Sequence, residues 1–260
     1  MRVPVALAVA ILFSTQAWAR LPTADLRAAQ ATPQPGAAIP LSLSFTDDTG
    51  RPTTLGDAIG DAPALLLFSD YTCRTLCGPL VEFAAAGLER SGLRPGRDFR
   101  LLVIGINPKD TRDDARLFKS RHIDARSPLF AATRVLIGDE ATMRAATTAA
   151  GYRYVYDADD DQYAHPTAAF AIGPRGRIVR ALSPLGIDAA DLRLALVDAG
   201  EGRVGSLADH VRLLCYGFDP AKGIYTQSIT DWLMVAACLT LAALAAGICT
   251  LSYRTPRAAP

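Results

Sequence analysis

Side chains able to bind metals or carry redox chemistry are scarce in this chain. Its 260 residues include five cysteines, three histidines and three methionines. The cysteines, Cys73, Cys77, Cys215, Cys238 and Cys249, are odd in number and uneven in spacing, which excludes the regular framework of a small disulfide-stapled secreted domain. Charge of either sign is not in excess. With 27 basic against 26 acidic residues the formal net charge is +1, and no run of Lys or Arg marks a polyanion site, so nucleic-acid binding is disfavoured. What is abundant is apolar surface: 50% of the residues are hydrophobic, more than a soluble domain of this length needs, and part of that excess must lie in membrane-type segments.

Those segments lie at the two ends. Arg2 forms a short positive region, Val5 to Phe13 an apolar one, and Ala17-Trp18-Ala19 a small-x-small cleavage site, so residues 1–19 read as a secretory signal peptide. About nine apolar residues are too few to span a hydrocarbon core that needs about 20. Residues 20–40, rich in Ala, Pro and Gln, read as a linker or loosely docked arm. At the other end, Trp232 to Leu251 is 20 residues without a charge, flanked by Asp231 and by Arg254 and Arg257; residues 229–253 are assigned to a transmembrane helix. The arginines place the tail, 254–260, in the cytoplasm. Both ends thus predict a single-pass inner-membrane protein whose globular part faces the periplasm. Cys238 and Cys249 fall in the span as small apolar fillers. The juxtamembrane segment, 201–228, holds a short amphipathic helix at Leu207 to Leu214 and an ordered turn from Cys215 to Tyr225.

Residues 41–200 read as one α/β domain. Leu41 to Phe45 alternates and Thr53 to Leu55 follows a turn, giving an N-terminal hairpin. Ala64 to Phe68 is short and purely apolar, as in a strand buried on both faces. Leu80 to Ser91 is a helix ended by Gly92, Phe99 to Ile106 a second buried strand, and Thr111 the N-cap of a helix through Arg121. Strand, helix, strand, helix implies a parallel sheet with right-handed crossovers. A short strand at Leu136, a helix from Asp139 to Ala150, an extended Tyr152 to Tyr156 and an acidic loop, Asp157 to Asp161, follow. A strand entered from His165 turns at Gly173-Pro174-Arg175-Gly176 into a returning strand, Arg177 to Leu182, and a helix from Ala189 to Ala199 closes the domain. This is the order of a thioredoxin-like fold: a mixed central sheet flanked by helices, with an N-terminal hairpin and one C-terminal transmembrane helix.

The chemistry is placed where the first buried strand ends. Cys73 falls at its end and Cys77 four residues on; if a helix begins near Arg74 or Thr75, both sulfurs lie on one face, within reach of one metal ion or of each other. A helix N-terminus also favours thiolate over thiol. Two structural cysteines or a plain disulfide is the competing reading. Two thiolates suit copper(I), and one added imidazole fits copper(II) as well. Of the histidines, His122 and His210 read as solvated surface groups. His165 stands just before the strand expected to run beside the one preceding the cysteines, so its side chain can reach them.

With Tyr71-Thr72-Cys73-x-x-x-Cys77-Gly78-Pro79, Ile106-Asn107-Pro108-Lys109-Asp110-Thr111 (like a "DPxRDT" segment), Gly138-Asp139-Glu140, and His165 before Thr167 and Phe170, residues 38–200 resemble the Sco/SenC family of copper-binding cytochrome oxidase assembly proteins. The resemblance implies a thioredoxin-like fold and copper ligands at Cys73, Cys77 and His165. It implies a carrier rather than an enzyme, whose partner is the copper-bearing subunit of cytochrome c oxidase or another copper chaperone. Leu213-Leu214-Cys215-Tyr216 to Asp219-Pro220, followed by a C-terminal span, is similar to a bacterial branch of the family. Three positions depart from the pattern: Arg74 stands where proline is usual, Asn107 replaces an aspartate, and Pro166 separates His165 from Thr167. His165-Pro166-Thr167 is also similar to the cis-proline segment facing the active cysteines of thioredoxins, and X-Pro bonds adopt cis at small cost. The competing function is a thiol-disulfide reductase, with Cys73 and Cys77 as its redox pair, that keeps a client's copper-site cysteines reduced. Redox exchange needs the cysteines but no imidazole, so His165 separates the two. A peroxidase is disfavoured, since nothing resembles a Pro-x-x-x-Thr-x-x-Cys nucleophile loop.

Overall fold

In a computed structural model of the chain, the apolar run around Leu66 is an interior strand of a seven-stranded mixed sheet. The structure describes residues 29–73, 77–158, 161–201, 205–206, 208–209, 216–219, 224–227, 237–244 and 246–247. In chain order the elements are β1 (Gln30–Ala31), β2 (Ser44–Asp47), β3 (Pro52–Thr54), α1 (Leu55–Ile59), β4 (Ala64–Ser69), α2 (Cys77–Arg90), β5 (Arg100–Gly105), α3 (Arg112–His122), α4 (Pro128–Ala132), β6 (Thr133–Ile137) and α5 (Glu140–Ala149). There follow β7 (Tyr152–Arg153), β8 (Val155–Asp157), β9 (Gln162–Ala164), β10 (Ala169–Ile172), β11 (Ile178–Leu182), α6 (Ala189–Ala199), β12 (Tyr216–Asp219) and β13 (Ile224–Gln227).

The sheet order is β11-β10-β4-β5-β6-β2-β3. β4, β5 and β6 are parallel and joined by helical crossovers; β10 runs antiparallel to β4, with Ala169 opposite Leu67, and the hairpin β2–β3 covers the far edge. Successive side chains of a strand point to opposite faces. Leu65 and Leu67 therefore meet Leu88 of α2, Phe118 of α3 and Leu192 of α6, while Leu66 and Phe68 meet Ile59 of α1 and Ala146 of α5. All six residues of β4 are buried, which is why the strand carries no polar alternation. Burying each such Leu or Phe is worth about 1.5–3 kcal/mol. The helices start where their caps put them: Thr111 and Asp114 form a reciprocal capping box on α3, and Asp139 and Asp188 cap α5 and α6.

Several expectations are corrected. The described part of the predicted linker or docked arm lies firmly on the domain: β1 pairs with β7, Ile39 is buried, and its amide donates to the Gly176 carbonyl at 3.0 Å. Gly151 allows this docking, because with φ +60° a Cβ there would lie 2.3 Å from the Thr32 carbonyl oxygen. The first strand is β2 at Ser44–Asp47, not Leu41 to Phe45, and Leu55 opens a short helix instead of ending a strand, because Thr54 caps it through a box with Asp57. The second cysteine, Cys77, is the first described residue of its helix, and residues 74–76, where the helix start was expected, lie outside the described residues. The acidic loop joins β8 and β9 into a hairpin that periodicity alone did not show. No cis peptide bond occurs among the described residues, so His165–Pro166 is trans. The ordered turn after Cys215 is a hairpin, β12–β13. The predicted signal peptide, His210, Cys249 and most of the predicted span lie outside the described residues. Residues 237–244 and 246–247 of that span are helical, and no described helix is long and apolar enough to cross a membrane.

Candidate functional site

The carboxyl end of β4 and the amino end of β10 are neighbours because the two strands are antiparallel. This brings the turn carrying Cys73 beside the loop carrying His165. Beyond Ser69 the chain turns sharply, with the Cys73 amide donating to the Asp70 carbonyl at 3.2 Å. The Asp70 side chain fixes the same turn: its Oδ1 accepts from the Thr72 amide at 3.0 Å and the Thr72 hydroxyl at 2.8 Å. Cys73 is half-buried against the core cluster that contains Leu67 and Tyr71. Tyr71 anchors the turn from below, its hydroxyl donating to the Leu136 carbonyl at 2.7 Å and its amide to Asp110 Oδ2 at 3.2 Å.

His165 is held by a residue the sequence did not single out. The Tyr152 hydroxyl lies 2.7 Å from His165 Nδ1 and donates to the Pro166 carbonyl at 2.9 Å. A hydroxyl has one proton, and the Pro166 carbonyl, 3.2 Å from Nδ1, can only accept. A proton on Nδ1 satisfies the Tyr152 hydroxyl and the Pro166 carbonyl together and leaves Nε2 as the basic nitrogen, the tautomer a metal needs. Tyr152 is itself fixed, its ring 4.6 Å from Phe68 and 6.1 Å from Phe170. Burial holds the His165 pKa below the ordinary histidine value, against the raising effects of the Pro166 carbonyl and the negative charges of Cys73 and Asp70. The imidazole is thus neutral at neutral pH, and Cys73 is close enough for its charge to act on it.

Near this pair lies a group of buried polar residues. Asp70 is fully buried and Asp110 nearly so, and burial together with the charges of Asp70 and Asp114 pushes the Asp110 carboxyl up to about 7, against the lowering bond from Tyr71. Ser69 Oγ, Asp70 Oδ2 and Asp110 Oδ1 are buried with no hydrogen-bond partner among the described residues. Asn107 donates from Nδ2 to Asp70 Oδ1 and to Thr72 Oγ1, both at 3.4 Å. Lys109, two residues on, reaches Asp161 at 2.7 Å and lies over the Tyr156 ring, tying this loop to the hairpin that precedes His165.

Of the predicted ligands, Cys73 and His165 are close enough to interact electrostatically, and Cys77 is the first described residue of α2. Among the described side chains no cluster of three or more His, Cys, Asp and Glu groups converges on one point. The expectation that His122 is a solvated surface group is corrected. Its ring packs 4.7 Å from Phe118, its Nδ1 lies 2.8 Å from Glu82 Oε1, and it occupies the space a Cβ on Gly78 would need, 2.3 Å from that position. Neither Tyr152 nor His122 carries a sequence signal, since each acts through a partner far along the chain.

No family model matches the sequence, and no curated protein matches it. Solved structures do match in fold. The copper-bound ScoI structure of Arabidopsis thaliana aligns at 17% identity with a TM-score of 0.52, covering 62% of this chain and 98% of that one. BsSco, described as having a disulfide switch and as a member of the Sco family of cytochrome c oxidase assembly proteins, aligns at 16% identity and TM-score 0.51, covering 66% and 99%. An Aquifex aeolicus structure, described as a candidate electron transport protein, aligns at 20% identity and TM-score 0.53, covering 63% and 97%. The mixed sheet with its flanking helices is therefore similar in fold to these solved Sco structures.

Proposed function

We propose that this protein is a membrane-tethered periplasmic copper carrier of the Sco kind, holding its cargo through Cys73, Cys77 and His165 and serving the copper-centre assembly of cytochrome c oxidase. The observation that carries this reading is the state of His165: a half-buried, neutral imidazole whose Nδ1 lies within hydrogen-bond reach of the Tyr152 hydroxyl and the Pro166 carbonyl, beside a cysteine turn. A dithiol reductase has no use for such an imidazole, whereas a metal ligand requires it. Two thiolates with one imidazole accept both copper oxidation states, and loading releases the thiol protons. The fold likeness to a copper-bound ScoI supports the cargo, and the description of BsSco supports the oxidase as client. The apolar sequences at the two ends support the tether and the periplasmic side. The client is the copper-bearing oxidase subunit or another copper chaperone.

The test is copper stoichiometry and the copper(II) spectrum of the reduced protein and of His165→Ala. We expect one copper per chain in the wild type, and loss of the copper(II) form in the variant. A variant that binds copper as the wild type does would favour the reductase reading, with Cys73 and Cys77 as the exchanging pair.

A further inference from the structure

Asp70 follows directly on β4 and is 0% exposed. Its Oδ1 receives three donors, the Thr72 amide, the Thr72 hydroxyl and the Asn107 amide, a pattern that suits a carboxylate. Its Oδ2 is buried and has no hydrogen-bond partner among the described residues. Its charge acts on His165, Asp110 and Tyr163, Asn107 donates to it, and no described Lys or Arg is ion-paired with it. A buried carboxylate without a cation is costly and is retained where something compensates it. Here the compensation is at hand in the cargo. Asp70 acts electrostatically on His165, as does Cys73, so a metal ion held by those two residues would supply the missing positive charge. The Sco-like pattern carries an aspartate at position 107; this chain has Asn107 there, and that amide donates to Asp70. The carboxylate is thus displaced across one hydrogen bond rather than lost.

Building on the copper-carrier reading, we propose that Asp70 is the positioning and charge-setting residue of this site: its buried carboxylate holds the Cys73 turn and biases the site toward copper(II) over copper(I). The physical reason is that Coulomb attraction scales with the charge of the ion, so a fixed carboxylate attracts the divalent ion about twice as strongly as the monovalent one. Buried beneath the turn, it is little screened by salt.

The experiment uses the full chain in mild detergent, with copper(I) and copper(II) dissociation constants from chelator competition. Asp70→Asn keeps the shape and removes the charge; it should weaken copper(II) at least tenfold more than copper(I). Thr72→Val removes a hydrogen bond to the turn but leaves the charge, and should change both constants by similar factors. Asn107→Asp adds a carboxylate beside Asp70 and should shift the ratio toward copper(II), a result that stands even if Asp70→Asn does not fold. A wild type that binds both ions while the ratio stays constant in Asp70→Asn and Asn107→Asp overturns this inference alone. A shift in Thr72→Val as large as that in Asp70→Asn also overturns it, since the role would then be structural. A wild type that binds no copper overturns the carrier reading on which it rests.

Discussion

Tyr152 decides which nitrogen of His165 is available. Without its hydroxyl, Nδ1 loses its 2.7 Å partner, and the ring loses a contact that orients it. Outer partners of metal-ligating histidines are typically worth about 10–100-fold in affinity. Tyr152→Phe should therefore weaken copper(II) binding by about that factor, while the alkylation rate of Cys73 stays near the wild-type value; unchanged affinity would remove Tyr152 from the site. The pH dependence follows from the lowered pKa of His165. Above the unfolded value of about 6.5 the imidazole is neutral in both folded and unfolded chains and contributes no pH dependence. As pH falls below 6.5 the unfolded chain takes up a proton that the folded site resists, so stability declines. Copper then meets less proton competition at His165 than at an exposed histidine. Between pH 7.5 and 6.5 the contribution of His165 to copper affinity, read as the difference between wild type and His165→Ala, should stay flat. A loss beginning near pH 7 would show an imidazole of ordinary basicity.

At the scale of elements, the first turn of α2 is set by the end of α3, because the His122 ring sits where a side chain on Gly78 would go. Gly78→Ala must push that ring off Glu82 and Phe118. The overpacking costs about 1–3 kcal/mol, offset in part by alanine's better helix propensity of about 0.5–1 kcal/mol. A net loss in thermal stability is expected, together with a changed alkylation rate at the neighbouring Cys77. His122→Ala in the same chain should restore both, and a failure to restore them would show that the ring does not set the turn. This contact also marks the limit of what the sequence discloses. Strands β4 and β10 and helices α3, α5 and α6 were legible because each rests on local signals: a pure apolar run, a capping residue, a Gly-Pro turn. The arm docked through Ile39, the Tyr152 support and the His122–Gly78 contact were not, because each joins segments that the chain separates widely and that local patterns treat as polar or loose. Helix α1 was missed for a different reason: its five residues are too short for a periodic signal, and only its capping box betrays it.

At the scale of the molecule, ion pairs fasten the chain beyond the domain to the domain itself, and the most buried of them is at Asp209. Arg193 of α6 meets Asp209 in a two-pronged pair, Nε to Oδ1 at 2.7 Å and Nη2 to Oδ2 at 2.6 Å, while its Nη1 donates to the Ser91 carbonyl at the end of α2. Asp209 is 3% exposed and also accepts from the Ser206 amide and hydroxyl. The Arg193 bond, with the Ser206 bonds, holds its carboxyl well below the usual aspartate range despite burial. For a carboxylate with a depressed folded pKa, the stabilisation is fully present above the unfolded value of about 3.9 and is lost as pH falls through the folded one. The attachment should therefore hold across neutral pH and weaken only in strong acid. Removing the guanidinium strands a buried carboxylate, at a cost of about 3 kcal/mol. In Arg193→Ala, amide hydrogen exchange at neutral pH should rise in residues 205–227 while β4 and β5 remain protected. If the tether proposed for the C-terminal sequence is correct, this variant should keep copper binding but lose the fixed stance of the site relative to the membrane. It would then transfer copper to a membrane-bound acceptor more slowly than to a soluble chelator. Equal exchange in 205–227 for variant and wild type would show that the ion pair does not fasten that segment.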